Sequence, residues 1–259
     1  MLATLAVLLG LSSTPAIQTV AAPAGEEVDV ELILAVDISR SMDFDELEVQ
    51  RSGYVAALQH PDFINAVQDG LLGRIAVAYY EWGAAVNSGA LVNWQIISNA
   101  EEAAAFAARV KSGSIETLHG TSISSAIDYG YDLFEKNGYQ GLRQVIDVSG
   151  DGPNNRGLPV TPSRDRALAA GIVINGLAIM IRPSSSVVSL DKYYADCVVG
   201  GPGAFVVPVH KPEDFAAAIR RKLVMEISGI SQPGAIPVAA EQPADCMIGE
   251  KLRYQWMDR

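Results

Sequence analysis

Short apolar runs rich in β-branched residues alternate along this chain with segments that have helical periodicity. The first run, 28–36, contains the unbroken stretch Leu32-Ile33-Leu34-Ala35-Val36, which is typical of a strand covered on both faces. Five similar runs follow at 74–82, 91–97, 143–149, 172–179 and 204–209. In the last helical segment, apolar residues recur every four positions at Phe215, Ile219, Leu223 and Ile227. Such alternation favours a mostly parallel sheet with helices on both faces.

The predicted fold is therefore an α/β, doubly wound, mostly parallel six-stranded sheet with the strand order 3-2-1-4-5-6. The third run closely follows the second, and a turn at Asn87-Ser88-Gly89 would make it an antiparallel edge strand. Thr161-Pro162 predicts the start of the helix after the fourth strand. A length of 259 residues suits one such domain, which we assign to residues 28–229.

The two ends of the sequence differ from this domain. Residues 1–24 are typical of a signal peptide, with an apolar run at 2–11 and small residues for cleavage at 22–24. The alternative is an N-terminal extension without a targeting role. The apolar run is about half the length of a membrane-spanning helix, so we expect no integral membrane segment and an exported, periplasmic or secreted protein. Residues 230–259 are predicted to be a tail packed on the domain.

Cys197 and Cys246 are the only cysteines. In an exported chain such a pair can form a disulfide, and we predict that these two do. The alternative is that both thiols are free and that Cys197 is a small core residue.

The chain has 30 acidic residues against 19 Lys and Arg, and a formal net charge of -11. This balance disfavours a nucleic acid or an anionic membrane surface as the main partner.

Polar residues follow several of the predicted strands. Asp37, Ser39 and Ser41 form a D-x-S-x-S pattern directly after the first strand, and Asp151 follows the fourth within Ser149-Gly150-Asp151-Gly152. In the predicted order these strands are neighbours at the point where the sheet order reverses, which is where doubly wound sheets bind ligands. Thr121, at the start of the helix before the fourth strand, is expected at the same edge.

These five side chains, two carboxylates and three hydroxyls, offer only hard oxygen donors. Such a set suits Mg²⁺ first, with Mn²⁺ or Ca²⁺ as alternatives, and does not suit Zn²⁺ or Cu²⁺. Neutral hydroxyls leave much of the charge of a divalent cation unneutralised. An open coordination position would therefore attract a carboxylate from another molecule.

At these residues the chain resembles the von Willebrand factor type A family. The metal-ion-dependent adhesion site (MIDAS) of that family consists of a D-x-S-x-S loop, a separate Thr and a later Asp-Gly. The resemblance covers about residues 28–229 and implies metal ligands at Asp37, Ser39, Ser41, Thr121 and Asp151. It also implies a non-enzymatic, metal-dependent protein-binding module of the adhesion type, whose cation coordinates an acidic group of a protein partner.

Longer stretches resemble one bacterial branch of the family, whose members are usually exported and whose function is not established. These stretches are 74–77, 120–124, 147–155 and 200–205. One departure is that the usual T-D-G after the fourth strand is Ser-Gly-Asp-Gly here. The extra glycine leaves open whether Asp151 binds a metal directly or through water.

Four further residues in these loops, Ser122, Gly152, Asn154 and Asn155, are candidates for supporting the metal ligands or facing the partner. The two asparagines are equally suited to ordinary turn conformations. Asp147 lies within the fourth strand, where a buried carboxylate needs a partner.

The alternative function is a metal-assisted hydrolase or phosphatase with Asp37 as nucleophile or metal ligand. Phosphoryl transfer favours a nearby Lys or Arg, and the only candidates near these loops are Arg40, Arg143 and Arg156. The segment 119–122 resembles a fragment of a subtilisin-like motif, but one tetrapeptide cannot supply both base and nucleophile. The sequence therefore favours the binding module.

Overall fold

One mixed sheet forms the centre of the protein. The computed structural model describes residues 25–135, 137–182, 189–229, 236–237 and 243–257. Within them the strands are β1 (Glu26–Asp37), β2 (Ile75–Trp82), β3 (Val86–Ile97), β4 (Tyr139–Gly150), β5 (Val173–Ile179), β6 (Phe205–Val209) and β7 (Ile236–Pro237). They lie in the order β3-β2-β1-β4-β5-β6-β7. Only the outer pairs, β2–β3 and β6–β7, are antiparallel.

Helices cover both faces of this sheet, because its central strands are apolar on both sides. The helices are α1 (Phe44–Leu58), α2 (Pro61–Gln68), α3 (Ala100–Ser112), α4 (Ile123–Phe134), α5 (Val160–Ala169), α6 (Leu190–Tyr193), α7 (Phe215–Ser228) and α8 (Ile248–Met257). On β1, Leu32 and Leu34 pack in one core layer with α1, α2, α3 and α7. Ile33 and Ala35 point to the other layer, formed mainly by α4, α5 and α6.

The predicted fold is confirmed, including the order 3-2-1-4-5-6 and the antiparallel third strand. The two-residue β7 adds a short antiparallel strand beyond β6. The predicted signal peptide lies outside the described residues, as does most of 230–242. No helix in the described ranges is long and apolar enough to span a membrane.

Two local predictions are wrong. The turn between β2 and β3 lies at 83–85 and not at Asn87-Ser88-Gly89, because Val86 already pairs with Trp82. Gly83 is required there, since a Cβ atom would lie 2.5 Å from that of Leu118. The helix after β4 begins at Val160, one residue before the predicted cap. Pro162 is tolerated in its first turn because the N–H that proline lacks would be unpaired there.

The buried carboxylate of Asp147 finds its partner on α7. Lys222 forms ion pairs with both Asp147 and Glu226, and all three residues are almost fully buried. Asn175 donates a hydrogen bond to Glu226 at 3.4 Å. Burial, and then the negative charge of Asp147, raise the pKa of Glu226 to about 8, against the opposing effect of Lys222. The strand and the helix are thus linked through a buried ionic network.

This network makes a prediction about pH. Because the pKa of Glu226 is about 8 in the folded protein and 4.5 ordinarily, the unfolded chain loses this proton first as pH rises. The contribution of Glu226 to stability is therefore complete below about pH 4.5, and it falls by up to about 1.4 kcal/mol per pH unit between there and pH 8. Glu226→Gln has no proton to lose, so its unfolding free energy should fall less steeply than that of wild type between pH 4.5 and pH 8. Denaturant titrations in chelator at each pH measure this free energy. Equal slopes for wild type and variant would contradict it.

Candidate metal site

The D-x-S-x-S loop leaves the carboxyl end of β1 and is fixed by backbone bonds to the segment before α4. Arg40 N–H donates to the carbonyl of Leu118 at 3.0 Å, and Leu118 N–H donates to that of Ile38 at 2.9 Å. Asp37 is fully buried, and one of its carboxylate oxygens accepts the N–H of Ser39 at 2.7 Å. This turn brings the hydroxyls of Ser39 and Ser41 to within 2.9 Å of each other.

Asp151 meets these hydroxyls from the neighbouring strand. It directly follows β4, and its Oδ1 lies 2.6 Å from the hydroxyl of Ser41 and 3.5 Å from that of Ser39. The extra glycine noted in the sequence, Gly150, has a steric reason. A Cβ atom there would lie 2.8 Å from Asp37 Oδ2 and 2.6 Å from Tyr194 Oη. Gly150 therefore lets β4 pass close to the Asp37 carboxylate.

Thr121 lies at the same edge but is held by a different set of bonds. Its N–H donates to the side chain of Asn155 at 2.9 Å, and its carbonyl accepts the N–H of Asn155 at 2.8 Å. Thr121, Asn155 and Gly152 line one cavity together with Ser41 and Asp151. Among the described contacts, no hydrogen bond joins the Thr121 hydroxyl to the two carboxylates.

The other two candidates, Ser122 and Asn154, support the loops and do not line this cavity. Ser122 caps α4 by accepting the N–H of Ser125 at 3.3 Å. Asn154 is fully buried; its side-chain oxygen accepts the N–H of Ser124 at 3.1 Å, and its amide donates to Glu250 on α8 at 2.6 Å. Asn154 therefore ties the loop after β4 both to α4 and to the C-terminal segment.

The electrostatics of the two carboxylates favour a cation. Burial, and then the charge of Asp151, raise the pKa of Asp37 well above its ordinary value. Burial also raises the pKa of Asp151. Asp37 Oδ2 is buried without a hydrogen-bond partner within the described part of the protein. An orphaned carboxylate oxygen beside hydroxyls and a second carboxylate fits a hard divalent ion.

The cavity above these residues has a volume of about 510 Å³ and includes side chains that the sequence did not single out. Among them are Arg182, after β5, and Leu252 and Arg253 on α8. Only the general prediction of a packed tail pointed to α8. Arg156 lines the cavity as well, whereas Arg143 lies elsewhere and donates to the last carbonyls of α7.

A disulfide joins Cys197, just after α6, to Cys246, just before α8. Nearby, the N–H of Ala244 donates to Asp196 at 2.6 Å. These contacts attach the segment 243–257 to the domain next to the cavity.

A family model described as "Protein of unknown function (DUF1194)" matches residues 27–231. The chain belongs to this family. The matched segment leaves α8 outside. No curated protein matches the sequence.

Several solved structures resemble this DUF1194 protein, all at low sequence identity. Proximal thread matrix protein 1 (PTMP1) from the mussel byssus, with a zinc-occupied MIDAS motif, is 12% identical over 79% of this chain and 50% of that chain, with a TM-score of 0.58. The pilus adhesin SpaC from Lactobacillus rhamnosus GG is 12% identical over 79% and 32% of the two chains, with a TM-score of 0.56.

A von Willebrand factor type A protein from Catenulispora acidiphila is 15% identical over 78% of this chain and 43% of that chain, with a TM-score of 0.50. The DUF1194 chain thus spans about half the length of PTMP1 and less of the other two. At these identities the likeness concerns the fold, which is that of a von Willebrand factor type A domain.

Proposed function

We propose that this protein is a non-enzymatic, metal-dependent protein-binding module. A divalent cation, Mg²⁺ in the first place, is held by Asp37, Ser39, Ser41, Thr121 and Asp151. Its open coordination position takes a carboxylate of a protein partner. The protein acts after export, in the periplasm or outside the cell.

One observation carries this proposal: oxygen atoms from two separate loops meet at the carboxyl edge of the sheet. The hydroxyls of Ser39 and Ser41 both lie within 3.5 Å of Asp151 Oδ1. Beside them lies the buried Asp37 carboxylate, one oxygen of which has no partner in the described structure. Two close carboxylates are mutually repulsive in a buried site, and a divalent cation would remove that repulsion.

Two further observations support it. The relative PTMP1 is described with zinc in its MIDAS motif, and SpaC is described as a pilus adhesin.

A second candidate, a metal-assisted hydrolase or phosphatase, is favoured by one feature. Three arginines, Arg156, Arg182 and Arg253, line the cavity beside the proposed metal ligands. Such residues can bind the charged oxygens of a phosphoryl group. A panel of generic phosphate and ester substrates, assayed with and without Mg²⁺, separates the two functions. Turnover that Asp37→Ala abolishes would contradict the binding module.

The binding module itself is tested by affinity capture from an envelope extract of the native organism. Wild-type protein in millimolar Mg²⁺ should retain a partner that chelator elutes, and Asp37→Asn should not retain it. Asp45→Asn is the matched control, because Asp45 is exposed on the first turn of α1 and does not line the cavity. Capture that is equal for wild type and Asp37→Asn would contradict the proposal.

A further inference from the structure

The cavity beside the proposed metal site has a second wall, which α8 provides. Gly249, Leu252 and Arg253 of this helix line the same cavity as Ser41, Thr121 and Asp151. Its volume of about 510 Å³ falls within the range of ligand pockets, about 300–1,000 Å³. The space is therefore larger than a single coordinated carboxylate needs.

Three contacts fix α8 in this position. The disulfide between Cys197 and Cys246 anchors the chain just before the helix. Glu250 accepts the amide of the buried Asn154 at 2.6 Å. A Cβ atom at Gly249 would lie 2.0 Å from the carbonyl oxygen of Asn154, so the helix backbone touches the loop that carries Asp151. The second wall is thus a built part of the site.

Apart from Asp151, the charged side chains that line the cavity are arginines, although the chain as a whole is acidic. Arg253 is half-buried, and its Nε is buried without a hydrogen-bond partner in the described structure. One of its terminal guanidinium nitrogens donates a long hydrogen bond of 3.3 Å to the carbonyl of Asn155. Arg156 is exposed and forms no ion pair with the described residues. Arg182 is already paired with Glu46. Two arginines are thus available to an incoming anion.

Beside the arginines and the proposed metal ligands, the cavity lining is partly apolar. Ile179, Met180, Leu190 and Leu252 contribute to it. A buried guanidinium with an unpaired N–H is costly, and a carboxylate satisfies it with strong charge-assisted bonds. A ligand that fills this cavity would present one anionic group to the metal, a second to the arginines, and an apolar part to the rest of the lining.

We infer that the partner binds through an acidic peptide segment with two carboxylates. One carboxylate coordinates the cation, and the other pairs with Arg253 and Arg156. α8 thereby selects which acidic segments bind. This inference rests on the proposed function, because the first carboxylate needs the metal.

The test uses blocked peptides in which zero to three leucines separate two glutamates, with the full-length protein in Mg²⁺. At least one peptide should bind about tenfold more tightly than its counterpart in which the second glutamate is glutamine.

Arg253→Gln should reduce this preference to about twofold or less. Arg156→Gln, a change at an exposed side chain, should also weaken the preference and serves if Arg253→Gln does not fold. Lys111→Gln removes the same charge from an exposed residue outside the cavity and should retain the full preference.

Separate readouts distinguish failure of this inference from failure of the proposed function. Stabilisation by Mg²⁺ without peptide reports on the metal site alone. If Mg²⁺ stabilises the protein but no peptide binds, or both members of each pair bind equally, the inference is overturned and the metal site stands. If inorganic phosphate displaces the peptide at equal concentration, the arginines do not select carboxylates and the inference is overturned. If Mg²⁺ has no effect, the proposed function fails first.

Discussion

Asp37→Asn should remove the stabilisation that Mg²⁺ gives to the wild-type protein. Mg²⁺ at 100 times its Kd adds about 2.7 kcal/mol to the unfolding free energy of a protein that binds it only when folded. For a domain of this size that raises Tm by roughly 5–10 °C. The variant keeps an acceptor for the Ser39 N–H but loses the negative charge. We therefore expect Mg²⁺ to raise its Tm by close to zero. The measurement is a thermal melt with Mg²⁺ and again with chelator.

The same variant should have the opposite effect without metal. Burial and the nearby Asp151 raise the pKa of Asp37, which means that the metal-free fold disfavours the charged carboxylate. In chelator at pH 7, Asp37→Asn should therefore be at least as stable as wild type. Mg²⁺ also screens the repulsion between the many acidic side chains of this protein. Asp45→Asn, which removes one exposed charge away from the site, controls for that effect and should keep the wild-type response to Mg²⁺. An equal Mg²⁺ response in wild type and Asp37→Asn would refute the site.

Lys222→Met should destabilise the fold by about 3–5 kcal/mol. The substitution keeps the length of the side chain but leaves the Asp147 carboxylate buried without its cation, beside a Glu226 that is mostly protonated at pH 7 because its pKa is about 8. Removing one partner of a buried ion pair is costly for this reason, even where the pair itself contributes little. Denaturant unfolding at pH 7 measures the loss.

Two comparisons test the cause of that loss. Lys111→Met, on the exposed side of α3, should change the unfolding free energy by less than about 0.5 kcal/mol. Adding Asp147→Asn and Glu226→Gln to Lys222→Met should recover most of the loss, because no charge is then left buried. A triple variant as unstable as Lys222→Met alone would show that packing, and not charge, accounts for the effect.

Sequence predicted the fold and the placement of the site loops because these depend on local patterns. The apolar run in β1 identifies a central strand, and Asp37 and Asp151 immediately follow strands that the topology makes neighbours. The convergence of Ser41 on Asp151 then follows from sheet geometry.

Other features depend on contacts between residues distant in the chain, which no local pattern encodes. Nothing near Asp147 in the sequence indicates that its partner is Lys222 on α7. The role of Asn154 as an anchor for α4 and α8 becomes visible only when both helices are in place. The turn before β3 was misplaced because Asn-Ser-Gly is a stronger local turn signal than Gly83, whose need for glycine comes from Leu118.

Because α8 lies outside the segment that the family model matches, the residues on it that would select a partner are separate from those that would bind the metal. Changes at Leu252 or Arg253 alter one side of the cavity and leave the five proposed metal ligands themselves unchanged. Relatives could therefore diverge in which partners they recognise while retaining the same affinity for the ion. Comparing this short helix among DUF1194 proteins would show where such diversification has occurred.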